Sequence, residues 1–223
     1  MKTLQHYITE KILINKNSKI RYTYHPKTRN ELKDIINQRI KSEGNKCDLN
    51  DIDTSNITDM SNLFVYSEFN GDISKWNVSN ATNMNDMFRY SEFDGDISNW
   101  NVSNVTTMEG MFMNSQFDGD ISNWDVNNVK NMRYMFFGSE FNGDISNWDV
   151  SSVKNMSSMF ASSKFNGDIS KWNVSNVTNM ECMFMNSQFD SDISNWDVSN
   201  VTNNAAMFHD CPIEEKYKPK FKI

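Results

Sequence analysis

Apolar residues recur along this chain in fixed columns, each repeating every 24 residues. One column is Trp76, Trp100, Trp124, Trp148, Trp172 and Trp196. A second is Phe69, Phe93, Phe117, Phe141, Phe165 and Phe189, and a third runs Phe64, Phe88, Phe112, Phe136, Phe160, Phe184 and Phe208. The unit reads F-x-G-D-I-S-x-W-x-V-S-N-V-T-N-M-x-x-M-F-x-x-S-x, and a degenerate half-unit, Asp48 to Met60, precedes the first full copy. Self-similarity at a fixed period of this length is the signature of a repeat architecture in which each unit stacks on its neighbours.

Two hydrophobic periods share each unit. In Ile73-Ser-Lys-Trp76-Asn-Val78 the last three positions alternate apolar, polar, apolar, which predicts a short strand with one buried face. In Ala81-Thr-Asn-Met84-Asn-Asp-Met87-Phe88 the apolar residues fall at i, i+3, i+6 and i+7, which predicts a helical turn or two. The Phe-Asn-Gly-Asp stretch then turns the chain. The predicted fold class is α/β: a leucine-rich-repeat-like solenoid with a parallel strand ladder, one short strand and one short helix per turn. The Trp column is predicted to be core rather than an outward ribbon, because the period of two points Trp76 and Val78 the same way.

The spacing Ile73-x-x-Trp76-x-Val78 has the form L-x-x-L-x-L. Its continuation, Val102-Ser-Asn-Val105-Thr-Thr-Met108-Glu-Gly-Met111-Phe112-Met-Asn-Ser115, resembles the BspA-like leucine-rich repeat. Ser stands where that family often has Pro, and Ser fills its Cys column except at Cys211. The resemblance covers about three quarters of the chain, and the variant richest in G-D-I-S-x-W-x-V resembles surface repeat proteins of host-associated bacteria and their phages. It implies adhesion or protein interaction, and a cell or virion surface.

Residues 1–44 do not repeat. Leu4, Tyr7, Ile8, Lys11 and Ile12 predict one amphipathic helix, and Ile20-Arg-Tyr-Thr-Tyr24 a short strand. A capping box at Thr28 and Glu31 opens a second helix carrying Leu32, Ile35, Ile36 and Ile40, with Gly44 as its stop. The predicted organisation is an α+β cap over 1–44, about seven repeat turns over 45–212, and a tail over 213–223 that covers the far end or trails in solvent.

Composition fits a folded chain: three Pro and eight Gly leave no linker, while 15 Phe, 15 Met and six Trp supply apolar volume. The net charge of -7 is uneven. Residues 1–44 hold ten Lys/Arg against four Asp/Glu, residues 45–212 hold eight against 23, and residues 213–223 hold four against two. An acidic body repels phosphate backbones, so no nucleic acid is expected along the repeats. No signal-peptide pattern and no membrane-length apolar run is present, which predicts a soluble chain. Cys47, Cys182 and Cys211 lack metal-ligand spacing and are read as free thiols, with a Cys182 to Cys211 pair as the alternative.

An enzyme needs different groups converging on one point, whereas this repeat lays like groups in lines. No catalytic motif is present, His6, His25 and His209 lie far apart, and neither an enzyme nor a cofactor is expected. The one line with metal-binding chemistry is Asp72, Asp96, Asp120, Asp144, Asp168 and Asp192. Its carboxylates either accept backbone N–H bonds within their turns or hold calcium between them. Two further sets are candidates for partner binding. The outward column beside Trp is Asn77, Asn101, Asp125, Asp149, Asn173 and Asp197, and the varied side carries Tyr66, Tyr90, Met113, Phe137 and Met185. The expected function is a non-enzymatic interaction or adhesion module for a protein or cell-surface ligand. The alternative is a structural or decoration part of a larger assembly, a virion among them, docked through residues 1–44.

Overall fold

Aromatic side chains spaced by a constant interval can share one core only if each unit lies over the next. That is the arrangement found in a computed structural model of the chain, which describes residues 22–221. Phe88 stacks on Phe112, and Phe112 on Phe136, with centroids 5.6 and 5.7 Å apart and planes within 7° of parallel. Trp148, Trp172 and Trp196 stack at 6.5 and 6.4 Å. All six Trp are buried, none more than 5% exposed. Each indole N–H donates to the carbonyl 27 residues earlier, as Trp124 does to Ile97 at 3.1 Å and Trp172 to Ile145 at 3.0 Å. The ring therefore buries its area without orphaning its one donor.

The expected strand and helix in each unit are not there. Among the described residues α1, Arg29–Glu43, is the only α-helix, a short 3-10 helix covers Glu215–Tyr217, and there is no strand. Among the described residues the β-type pairing between successive units is confined to isolated parallel bridges, as Asn83 with Thr107 and Thr107 with Asn131. The predicted α/β solenoid with its parallel strand ladder is thus overturned.

The backbone supplies the reason. The segment expected to be helical, Ala81 to Phe88, contains the left-handed residue Asp86 at φ 54°, and a second, Tyr90 at φ 53°, follows just beyond it. The same pair recurs as Asn62 and Tyr66, Gly110 and Asn114, Tyr134 and Gly138, Ser158 and Ser162, Cys182 and Asn186, and Ala206 and Asp210. An α-helix cannot pass through such residues. The chain instead makes consecutive tight turns, in which the N–H groups of Met87, Arg89 and Ser91 reach back three residues to Met84, Asp86 and Phe88. The intervening N–H groups of Met84, Asp86, Phe88 and Tyr90 point to the next unit, bonding the carbonyls of Thr107, Glu109, Met111 and Met113 at 2.8–3.1 Å.

The strand fails for a related reason. Trp76 and Val78 are both buried, but the Trp76 N–H closes a turn onto Ile73 and the Ala81 N–H another onto Val78. Asp72 and Asn77 also accept from the N–H two residues on, at Ser74 and Ser79. Such local side-chain bonds compete with sheet pairing.

At the first end, α1 starts after Thr28, whose hydroxyl accepts from the Glu31 N–H at 3.2 Å, and stops at Gly44, φ 90°. It buries Leu32, Ile35 and Ile36. The Arg29 side chain donates to the Ser61 carbonyl, and the Lys33 ammonium to the carbonyls of Asn62 and Leu63. Ser61 and Leu63 correspond to the carbonyls that accept from a preceding unit elsewhere in the stack. Arg39 binds Glu43 through two nitrogens, Asp51 at 2.7 Å and the Asp48 carbonyl at 2.9 Å. Burial would lower its basicity, but the bonds to Glu43 and Asp51 outweigh that and hold the guanidinium charged. Tyr24 bridges Ile52. The helix predicted around Leu4 to Ile12, and the start of the predicted strand at Ile20, lie outside the described residues. At the other end Ile213 is buried, and the Tyr217 carbonyl accepts from the Ile193 N–H at 3.0 Å.

Candidate interaction face

Side chains already bonded to their own backbone have less to offer a partner, so the candidate columns are separated by what they already hold. Each carboxylate of the Asp column accepts the N–H of the Ser two residues on: Asp72, Asp96, Asp120, Asp144, Asp168 and Asp192 all do so at 2.9 Å. That backbone bond is the main force pulling the carboxyl groups of Asp120, Asp144, Asp168 and Asp192 below their ordinary range. Asp96 is lowered chiefly by the Ser98 hydroxyl, and Asp72 is lowered although burial opposes it. Among the described residues no three His, Cys, Asp or Glu side chains gather as a metal site. Asp168 and Asp192 line a shallow polar depression with Ser170, Ser191, Ser194 and Asn195.

The column beside Trp is engaged in the same way. Asn77, Asn101 and Asn173 each accept both the N–H and the hydroxyl of the Ser two residues on, with the hydroxyl at 2.7 Å. Asp125, Asp149 and Asp197 accept the corresponding N–H of Asn127, Ser151 and Ser199. Other Asn side chains tie units together, as when Asn104 donates to the Ser79 carbonyl at 2.7 Å and Asn128 to that of Ser103 at 2.8 Å. The richness in Asn, Asp and Ser thus has a structural use: these residues cap a chain made largely of turns.

The side carrying the left-handed pairs differs. Tyr66 and Tyr90 stack with centroids 4.7 Å apart and planes 6° from parallel, yet Tyr66 is 71% and Tyr90 40% exposed. The Arg89 guanidinium lies over the Tyr90 ring at 5.3 Å and reaches Asp86 at 3.4 Å, while its Nε has no acceptor among the described residues. Burial pushes the Asp86 carboxyl up, and Arg89 opposes this. Two units further on, Arg133 lies over Tyr134 at 4.4 Å, and Tyr134 meets Phe137 edge-on at 5.8 Å. Met113, Phe137 and Met185 are half-buried on the same side.

Arg89, Arg133 and Tyr134 are absent from the sequence-derived candidates. Within the repeats the dipeptide Arg-Tyr, at 89–90 and again at 133–134, is the signal that could have found them. Cys47, Cys182 and Cys211 are free thiols, with Cys47 buried. No helix among the described residues is long and apolar enough to cross a membrane.

Stacked aromatic columns, turn-based units and one polar-capped body define a repeat protein. The chain belongs to the family described as Mycoplasma protein of unknown function, DUF285, whose model matches residues 31–140 and again 113–219. The two overlapping matches follow from the internal repeat. Neither a curated protein nor a solved structure matches the chain.

Proposed function

We propose that this protein is a non-enzymatic interaction module whose partner, a protein or a cell-surface ligand, docks on the side bearing Tyr66, Tyr90 and Arg89. One observation carries the reading. Tyr66 and Tyr90 are solvent-exposed aromatic residues at positive φ, where a side chain costs about 1–2 kcal/mol relative to Gly. The same column elsewhere holds Asn114, Gly138, Ser162, Asn186 and Asp210, and all of these but Ser162 are residue types that tolerate the conformation more readily. Exposed rings retained against backbone strain point to a use outside the fold. Tyr, Arg and Met are also the residue types that concentrate at protein interfaces. The resemblance to BspA-like surface repeats agrees with an interaction or adhesion role.

The alternative, docking of the whole chain into a larger assembly through residues 1–44, draws less support. Arg29, Lys33 and Arg39, the basic groups of α1 nearest the repeats, are engaged with carbonyls and carboxylates of the chain itself.

The test is the double variant Tyr66→Asn/Tyr90→Asn, in which Asn keeps the left-handed backbone. Crosslinking in cells of the source organism, with wild type and variant expressed equally, should yield a defined partner for wild type only, while the variant melts no lower. Equal crosslinking by both, or none by wild type, would overturn the proposal.

A further inference from the structure

The turn segments are polar along the stack. Within each internal turn segment, such as residues 84–90, the N–H groups not used inside the turn point to the next unit and the matching carbonyls face the previous one, whereas the flanking Thr82 and Glu92 N–H groups bond back to Thr58 and Ser67. Met180, Cys182, Phe184 and Asn186 accordingly donate to the carbonyls of Asn203, Ala205, Met207 and His209 at 2.8–2.9 Å. The same arithmetic leaves a row of outward carbonyls at the first end and a row of outward N–H groups at the last.

The two ends are treated differently. At the first, Arg29 and Lys33 donate to the Ser61, Asn62 and Leu63 carbonyls, cations placed against acceptors. At the last, the N–H groups of Asn204, Ala206, Phe208 and Asp210 have no acceptor among the described residues. Asn204, Ala205, Ala206, His209 and Asp210 are exposed. Among the described residues the tail bonds the neighbouring stretch, through Tyr217 on Ile193, and makes no backbone bond to this row. The Phe208 ring stacks on Phe184 at 5.9 Å, and the Lys218 ammonium, paired with Glu215 at 2.8 Å, lies 5.6 Å from its centroid.

We infer that this open N–H row is a docking edge for one further turn of the same aromatic repeat, supplied by another polypeptide. The complement is already displayed between internal units, where a carbonyl row meets each donor row at hydrogen-bond distance and a Phe ring stacks on its predecessor. An intact second copy of this chain does not fit. The middle carbonyls of its row, Ser61 and Leu63, are taken by Arg29 and Lys33, and pairing the turn segments of two last ends would set donors against donors. The partner is therefore a chain whose repeat presents an uncovered carbonyl row. This edge is separate from the Tyr66 and Tyr90 side.

The test is site-resolved amide exchange on the full chain, with and without a synthetic peptide carrying the sequence of residues 93–116. Without peptide, the Asn204, Ala206, Phe208 and Asp210 amides should exchange fast. At a peptide concentration about ten times its Kd they should slow by about tenfold, with Met132, Tyr134, Phe136 and Gly138 unchanged. A scrambled peptide of the same composition, and inorganic phosphate, should do nothing. Three results would each overturn the inference: amides already slow without peptide, no slowing up to the peptide's solubility limit, or equal slowing by the scrambled peptide or phosphate.

Discussion

Replacing Trp172 by Phe separates a core column from a surface ribbon. Trp172 is 4% exposed, lies between Trp148 and Trp196 at 6.5 and 6.4 Å, contacts Phe160 at 6.2 Å, and donates to the Ile145 carbonyl at 3.0 Å. Phe keeps the aromatic stack but removes the donor, a loss of about 1 kcal/mol. That carbonyl retains a second donor, the Trp148 N–H, so it is not orphaned and the loss stays at that scale. The two ring carbons lost with the indole add roughly 1.6 kcal/mol at about 0.8 kcal/mol each. The expected cost is therefore about 2–3 kcal/mol, and Trp172→Ala should cost about 3–5 kcal/mol. Urea unfolding followed by Trp fluorescence and circular dichroism measures both. A loss below about 0.5 kcal/mol for Trp172→Ala, the range of ordinary surface changes, would refute burial of the column.

Other consequences follow from the turns and their caps. Because backbone bonds hold the carboxyl groups of Asp120, Asp144, Asp168 and Asp192 below 3.8, their contribution is full above that value and is lost as pH falls through the lower folded values. Melting temperature should accordingly drop in strong acid, and Asp120→Asn, which keeps the accepting oxygen, should melt normally at neutral pH with a shallower acid decline. Ser158, at φ 53°, should gain about 1 kcal/mol on replacement by Gly, whereas Gly138→Ala, at φ 60° with a Cβ 2.3 Å from the Asn114 side chain, should lose about 1–2 kcal/mol. Denaturant titration distinguishes gain from loss. Removing the end seal with Arg29→Ala/Lys33→Ala should leave carbonyls at Ser61 and Leu63 without donors, costing about 1–3 kcal/mol and speeding amide exchange in residues 47–66 first.

Much of this architecture was legible in the sequence. The Trp and Phe columns announced stacked units, and period two correctly placed Trp76 and Val78 inside. Thr28, Glu31 and Gly44 marked α1. The path of the backbone between columns was not legible. Apolar residues at Ala81, Met84, Met87 and Phe88 fit a helix equally well as a run of tight turns, because both return the chain to one face every three or four residues. The deciding positions vary from unit to unit: Asn62, Asp86, Gly110, Tyr134, Ser158, Cys182 and Ala206 share a conformation but no side-chain type. Only reading down that column, where Gly, Asn and Asp are frequent, hints at positive φ. The candidate interaction face was half visible. Tyr66 and Tyr90 stood out by type, but their stacking and the Arg89 contact depend on the 24-residue register of neighbouring turns.

The most direct test of the turn-stacked backbone is native-state amide exchange resolved by residue. Met132, Tyr134, Phe136 and Gly138 should be strongly protected by bonds to Asn155, Ser157, Met159 and Ala161 in the following unit, while Asn204, Ala206, Phe208 and Asp210 exchange fast. Comparable protection of the two sets in the isolated protein would contradict the account.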